Sequence, residues 1–415
     1  MTSMEILTGS RKTPLPEGWR WATLGNLVSE AKSGFACGSR DPEGVIQLRM
    51  NNVDTRGNFV WDEYIRVPAD NKTIEVNKLA SGDVLFNNTN STELVGKSAL
   101  FEGYKETVVY SNHFTRIRTI RNALIPEFLA AWLNHQWQMC VFENICNRWI
   151  GQSAVKPDKL MNLDFPLPPL PEQKRIAGIL RKRMDAVERA RKFAEEQLEA
   201  VQTLPSAYLR EVFSHPGGLP EGWRSIRLED IGCFKSGGTP SKSRDDYWGG
   251  NIPFVTGADI TDINITAKNA RAFLTKAGLE SGKTAKCQPG TVLFVTRTRV
   301  GRVGLAREVL GASQDITPFI CGLNILPEFL YRYLCCISDL LIESCRGATI
   351  QGLTRDFISN LEINLPSLPE QKRIAAILRE RMEAVERARK SAEAQLSTIN
   401  ALPGALLRQA FCGEL

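Results

Sequence analysis

Histidine is nearly missing from this chain: His113, His135 and His215 are its three, far apart and in no H-x-x-x-H or Cys/His cluster. The sequence therefore offers no metal-ligand spacing. Ten cysteines sit at irregular intervals, with one adjacent pair (Cys335, Cys336) and no C-x-x-C. A chain of 415 residues has no need of disulfide staples, so the expectation is reduced, buried thiols in a cytoplasm. No window of about 18 residues is apolar and free of charge, and the opening MTSMEILTGSRKTPLPEG lacks an apolar stretch of signal-peptide length. The reading is a soluble, unexported protein with no membrane partner. Enzyme signatures are missing too. STELVGKS has Ser91 where a phosphate-binding loop needs its first glycine, and GLESGKT is one residue short between Gly278 and Gly282. The Asn/Asp-Pro-Pro-aromatic tetrad of an adenine methyltransferase does not occur, and the neighbouring carboxylates Asp245 and Asp246 lie in one loop, where they solvate it. By elimination the chain reads as a binder.

Strong charge is also absent. The net charge is +6, and its distribution is flat: −1 over 15–165, and +2 in each of 166–215, 219–365 and 366–415. A polyanionic partner is permitted, but no basic block demands one.

What the chain does have is a duplication. LPEGWR at Leu15–Arg20 recurs at Leu219–Arg224, and LPEQKRIAGILRKRMDAVERARK from Leu170 recurs from Leu368 with only Gly178/Ala376, Lys182/Glu380 and Asp185/Glu383 exchanged. The expected organisation is an N-terminal extension (1–14), a first domain (15–165), a repeated helix (166–215), a second domain (216–365) and the helix again (366–415). Proline opens each helix, with Glu-Gln in the first turn. Leu180, Met184, Val187, Ala194, Leu198 and Val201 form a heptad seam, repeated as Leu378, Met382, Val385, Ala392, Leu396 and Ile399, with Arg191 and Arg389 as its polar members. A helix so charged has only a narrow stripe to bury, and its natural partner is its own copy in an antiparallel coiled coil, a spacer rod with a pseudo-two-fold axis. Each is expected to run to Leu204-Pro205 or Leu402-Pro403, giving a rod of roughly 45–50 Å.

The segments between the repeats barely align, yet both read as α/β (α+β) in the same order. VIQLRMNNV, GDVLFNN and HFTRIRTI are predicted strands and PEFLAAWLNHQWQMCVFEN a helix. In the second half these become NIPFVTGADI, GTVLFVTRT, GRVGLAREV and PEFLYRYLCCISDLLIES. The loops between them mix Arg, Lys, Asn, Gln, Ser and Thr with Tyr or Trp and glycine, chemistry that suits base edges and phosphates. The same composition also describes ordinary surface loops.

PLPPLPEQKRIAGIL, NLPSLPEQKRIAAIL, SGGTPSKSRDDYWGGNIPFVTGADI, TRVGRVGLA and the terminal LLRQAFCGEL together resemble the specificity subunit of Type I restriction-modification systems, over essentially all of the chain past Leu15. The resemblance implies a non-enzymatic subunit with two target-recognition domains bearing twisted mixed sheets, each reading half of a split, asymmetric double-stranded DNA site. It implies two modification subunits, carrying adenine-N6 methylation and S-adenosylmethionine, docked on the repeated helices, and two restriction subunits using ATP and Mg; this chain would bind no cofactor itself. A stand-alone DNA-binding or antitoxin-like regulator of the same fold and a non-DNA adaptor remain as alternatives. The repetition then has a reason: identical partners need identical docking surfaces, and different half-sites need different reading heads.

Carried over position by position, the resemblance points in the second domain to Lys235, Ser236, Thr239, Lys242 and Tyr247 around the GGTP loop, to Arg297, Arg299 and Arg302, and to Gln314 and Gln351. Gly237, Gly238 and Trp248 are expected to shape that loop. The first domain departs from the pattern, with KSGFACGSRDP in place of GGTP, and its candidates are Arg40, Arg49, Asn51, Asn88, Asn90, Lys97 and Gln152.

Overall fold

The computed structural model describes residues 14–345 and 352–415. Gln351 and nearly all of the 1–14 extension lie outside the described residues. The chain divides into two compact units, 1–195 with 394–415, and 196–393. Compactness therefore does not follow the linear domain order, because each repeated helix contributes its first half to one unit and its second half to the other.

In the first unit a four-stranded sheet runs in the order Val28–Ser33, Phe114–Thr119, Asp83–Asn87, Ser98–Phe101. Its central strand is apolar on both faces because both are covered, the pattern expected of a sheet between two layers. Val84 and Phe86 pack on Phe128, Leu129, Trp132 and Leu133 of the helix Pro126–Gln138, while Leu85 faces Ile46, Leu48, Tyr110 and Phe114. The latter residues belong largely to a three-stranded sheet, Ile65–Val67, Val45–Leu48, Val108–Tyr110, whose last two strands are parallel. The second unit repeats the plan. Its five-stranded sheet contains Gly232–Phe234, Ile316–Cys321, Val292–Val295 and Val303–Ala306 in corresponding order. Val292 and Phe294 face the helix Pro327–Cys336, and Leu293 and Val295 face Val255, Ile260 and Ala312. The second layer again pairs its strands in parallel, Trp248–Val255 with Leu310–Ala312.

The long helices exceed expectation. They run Leu170–Phe213 and Leu368–Cys412, 44 and 45 residues, with Pro205 and Pro403 inside rather than at their ends. A proline removes one backbone hydrogen bond, and packing of the same apolar stripe on both sides carries the helix through it. The seam is real: Leu180, Ala194, Leu378, Val385 and Ile399 are buried, and Met184, Val187, Leu198, Met382, Ala392 and Leu396 are half-buried between exposed neighbours. In the first unit Ile176 and Leu180 share a core with Leu407 and Ala410; in the second, Leu209 and Phe213 share one with Ile374 and Leu378. The start of one helix thus always meets the end of the other, as in an antiparallel pair. The segment expected as one helix from Pro126 is broken into Pro126–Gln138 and Val141–Ile145, with Cys140 in the left-handed region at φ 56°.

Candidate nucleic-acid interface

In both units the central strand ends at one rim of the sheet, and its outgoing loop is held there by the same backbone hydrogen bonds. In the second unit Thr296 N donates to Asp315 O at 2.9 Å, and Leu353 N donates to Thr296 O at 2.9 Å. In the first, Asn88 N donates to His113 O at 3.0 Å, and Val155 N donates to Asn88 O at 2.9 Å. Asn88 therefore stands where Thr296 does, Thr89 where Arg297 does, and Asn112-His113 where Gln314-Asp315 do. The return strands match as well: Gly96 N donates to Asn87 O and Gly301 N to Val295 O, which places Lys97 at the position of Arg302.

The GGTP loop closes over this rim because it has no Cβ atoms there. A Cβ on Gly237 would lie 1.9 Å from Ser313 O, and one on Gly238 would lie 2.2 Å from Lys283 O. Gly238 N donates to Ala312 O, and Thr239 Oγ1 donates to Gln314 Oε1, so the loop and the Gln314 turn are one piece. Trp248 Nε1 holds Ser241 O at 3.1 Å, the loop-shaping role expected of it. Around this piece Lys235, Ser236, Lys242, Arg297, Arg299, Arg302 and Gln314 are exposed, and Thr239 and Tyr247 are half-buried. Arg302 keeps one guanidinium nitrogen on Ile260 O at 3.3 Å. Tyr247 lies under Arg244, 4.7 Å from guanidinium carbon to ring centroid, and Arg244 forks onto Asp246 with two contacts of 2.8 Å. That fork holds the Asp246 carboxyl below its ordinary range. Arg355, missed in the sequence, reaches Ser236 Oγ at 3.3 Å and Phe234 O at 3.0 Å and ties its own helix to the loop. Its signal is faint, a lone arginine in a short helix.

The first unit has an equivalent closure without a GGTP. A Cβ on Gly34 would lie 2.1 Å from Tyr110 O and 2.6 Å from Ser111 O, so Lys32-Ser33-Gly34 does what Lys235-Ser236-Gly237 does. Three sequence candidates here are occupied inside the fold. Asn88 is buried, donating to Asn112 O and Thr115 Oγ1; Asn90 is buried against Asn87 Oδ1 and Ser91 N; Lys97 is buried with Nζ on Val53 O at 2.5 Å. Burial holds the Lys97 ammonium below its ordinary range, with Asp54 partly opposing the shift. The surface of this rim is offered instead by Arg40, Asn51, Asn112 and Gln152, which are exposed, and by half-buried Thr89, His113 and Arg49. Arg49 donates to Cys37 O at 2.6 Å, while its Nε is buried without a partner. Burial, and then the neighbouring charge of Arg40, lower the Arg49 pKa, which marks two adjacent guanidinium groups.

Among the described residues no helix is long and apolar enough to cross a membrane, and no three His, Cys, Asp or Glu side chains gather as a metal cluster. Residues 49–197 and 220–394 match the family model described as Type I restriction modification DNA specificity domain. The chain is 22% identical over 444 residues to the Type I restriction enzyme EcoKI specificity subunit of Escherichia coli (strain K12), covering 97% of this chain and 90% of that one. The HsdS subunit of Thermoanaerobacter tengcongensis superposes with a TM-score of 0.63 at 27% identity, over 97% of this chain and 99% of that one. A chain solved in an account of the assembly and conformational transition of the type I R-M system gives a TM-score of 0.76 at 27% identity, over 97% and 100%. Two matched domains, one on each rim-bearing unit, and whole-chain likeness in sequence and fold lead to one conclusion: the protein belongs to the Type I restriction-modification DNA specificity family, as a non-catalytic specificity subunit that recognises DNA sequence.

Proposed function

We propose that each unit reads one half of a bipartite, asymmetric duplex site, and that the repeated helices dock two adenine-N6 methyltransferase subunits. Two restriction subunits complete the cytoplasmic complex; S-adenosylmethionine, ATP and Mg belong to these partners. One observation carries the reading. The same hydrogen-bonded rim appears in both units with different side chains, exposed Arg297, Arg302 and Gln314 against half-buried Thr89, buried Lys97 and exposed Asn112, while Leu170–Lys192 and Leu368–Lys390 of the long helices are nearly letter-identical. A shared scaffold with exchanged polar groups suits two different base sequences, and repeated surfaces suit two copies of one partner.

In the second unit Arg297, Arg299 and Arg302 can fork onto guanine O6 and N7 or hold phosphates, and Gln314 can pair with adenine N6 and N7. Lys235 and Lys242 suit backbone phosphates. In the first unit Arg40 and Arg49 supply the guanidinium groups and Asn51, Asn112 and Gln152 the amides.

Co-expression with the modification subunit in a host free of DNA methylation, followed by single-molecule sequencing for N6-methyladenine, tests the proposal. Methylation confined to one split, asymmetric motif is the expected result. A stable copurified complex that methylates nothing would refute it and favour a protein adaptor.

A further inference from the structure

Strands Asn147–Trp149 and Gln152–Ala154 form a hairpin whose turn is Ile150-Gly151, with Gly151 in the left-handed region at φ 76°. Hairpin turns ordinarily carry polar residues. This one carries Trp149, 60% exposed, and a fully exposed Ile150, and neither belongs to an apolar core of the first unit. Two side chains at a single turn are far too little for a protein dock, which takes about 800 Å² from each partner. They are the size of a wedge.

The placement of the hairpin identifies what it would enter. Its inner strand pairs directly with Thr89–Asn90, Ser153 opposite Asn90 and Ala154 opposite Thr89. Thr89 holds the place of Arg297, whose own bridge is to Gly352. The hairpin therefore springs from the rim assigned to DNA reading. Residues 147–159 carry Arg148, Lys156 and Lys159 against Asp158, the balance that suits phosphates. Gln152 lies directly across the ladder from Trp149, and Arg148 is held at the base of the turn by Glu143, 3.1 Å from its carbonyl and 3.5 Å from its carboxylate.

We propose that this hairpin is a DNA wedge: Trp149 and Ile150 enter the duplex at the half-site read by the first unit and unstack one base step, while Arg148 and Gln152 hold the adjoining phosphate or base edge. Insertion of apolar side chains between base pairs kinks DNA, and the cost depends on the step being opened. The wedge therefore adds sequence preference at a step that no polar group reads, with pyrimidine–purine steps favoured. The inference rests on the DNA-reading proposal above.

The test uses the full chain assembled with its modification subunits, on duplexes of the methylated motif bearing 2-aminopurine singly at each position other than the methylated adenines. Fluorescence is expected to rise at one step of one half-site by about threefold or more, the signature of unstacking. In the W149S/I150S variant that rise should vanish while the other half-site, the copurified subunits and the protein's thermal transition are unchanged. A rise that survives the double substitution, or no rise at any position in the parent complex, overturns the wedge. Loss of copurified modification subunit in the variant also overturns it, by making the turn a protein contact. Failure of the DNA-reading assignment itself looks different, since neither half-site would then be protected in a footprint.

Discussion

Gln173 and Gln371 are buried completely, although each sits in the first turn of a charged helix. Gln173 Nε2 donates to Ala123 O and Pro168 O at 2.9 Å and Oε1 accepts from Ile125 N at 3.0 Å; Gln371 makes the same three bonds with Asn324 O, Pro366 O and Leu326 N. One side chain thus fastens each repeated helix to the chain entering Pro126–Gln138 or Pro327–Cys336. Gln371→Ala strands an amide hydrogen and two carbonyls, and should cost about 2–3 kcal/mol in chemical denaturation, with Gln173→Ala behaving alike. His135 makes a second residue-scale case. Its ring stacks on Phe411 at 5.1 Å with Nδ1 buried and unpartnered, and burial, then Arg408, push its pKa down to about 4. The unfolded chain therefore takes up the proton first as pH falls. The His135 contribution to stability should fall from about pH 6.5 to 4 and then level, by on the order of 3 kcal/mol, and that share of the decline should be absent in His135→Phe. Thermal melts of both proteins across that range check this.

The elements show where local signals suffice and where they do not. Strands such as Asp83–Asn87 and Val292–Val295 were legible because both faces are covered and the run is continuously apolar. The helix break at Cys140 was not, because it turns on one residue's φ rather than on periodicity. Pro205 and Pro403 misled for the opposite reason, since tertiary packing outweighs one lost hydrogen bond. Leu378, fully buried in the seam, should cost about 2–5 kcal/mol when cut to alanine, measured by denaturant unfolding. The loop elements answer to backbone contact instead. Gly237→Ala must push the loop off Ser313 O, so methylation should fall at least about tenfold in the assembled complex, while the copurified subunits remain. Equal methylation by that variant would remove the GGTP loop from the reading surface.

At the scale of the molecule, the candidate site was half legible. Arg297, Arg299 and Gln314 are exposed on the rim, whereas Asn88, Asn90 and Lys97 have the same polar character and are consumed inside the first unit. Polar letters alone cannot tell a free surface side chain from a strut; the hydrogen-bond partners do, and they are long-range in sequence. The near-neutral first segment and mildly basic second supply few phosphate contacts, so the isolated chain should bind its motif weakly, with a log K against log salt slope of magnitude below about 4. The complex with modification subunits should be steeper, as fluorescence anisotropy across salt concentrations can show. The division of the chain also sets a calendar for synthesis. The second unit is continuous, 196–393, whereas the first waits for 394–415 and its core residues Leu407 and Ala410. On the ribosome the half translated last can therefore finish folding first, and the half translated first must hold an open apolar cleft until the final turns emerge. A released chain truncated after Glu393 should resist protease over 196–393 and be cut within 14–195, an order of maturation opposite to the order of translation.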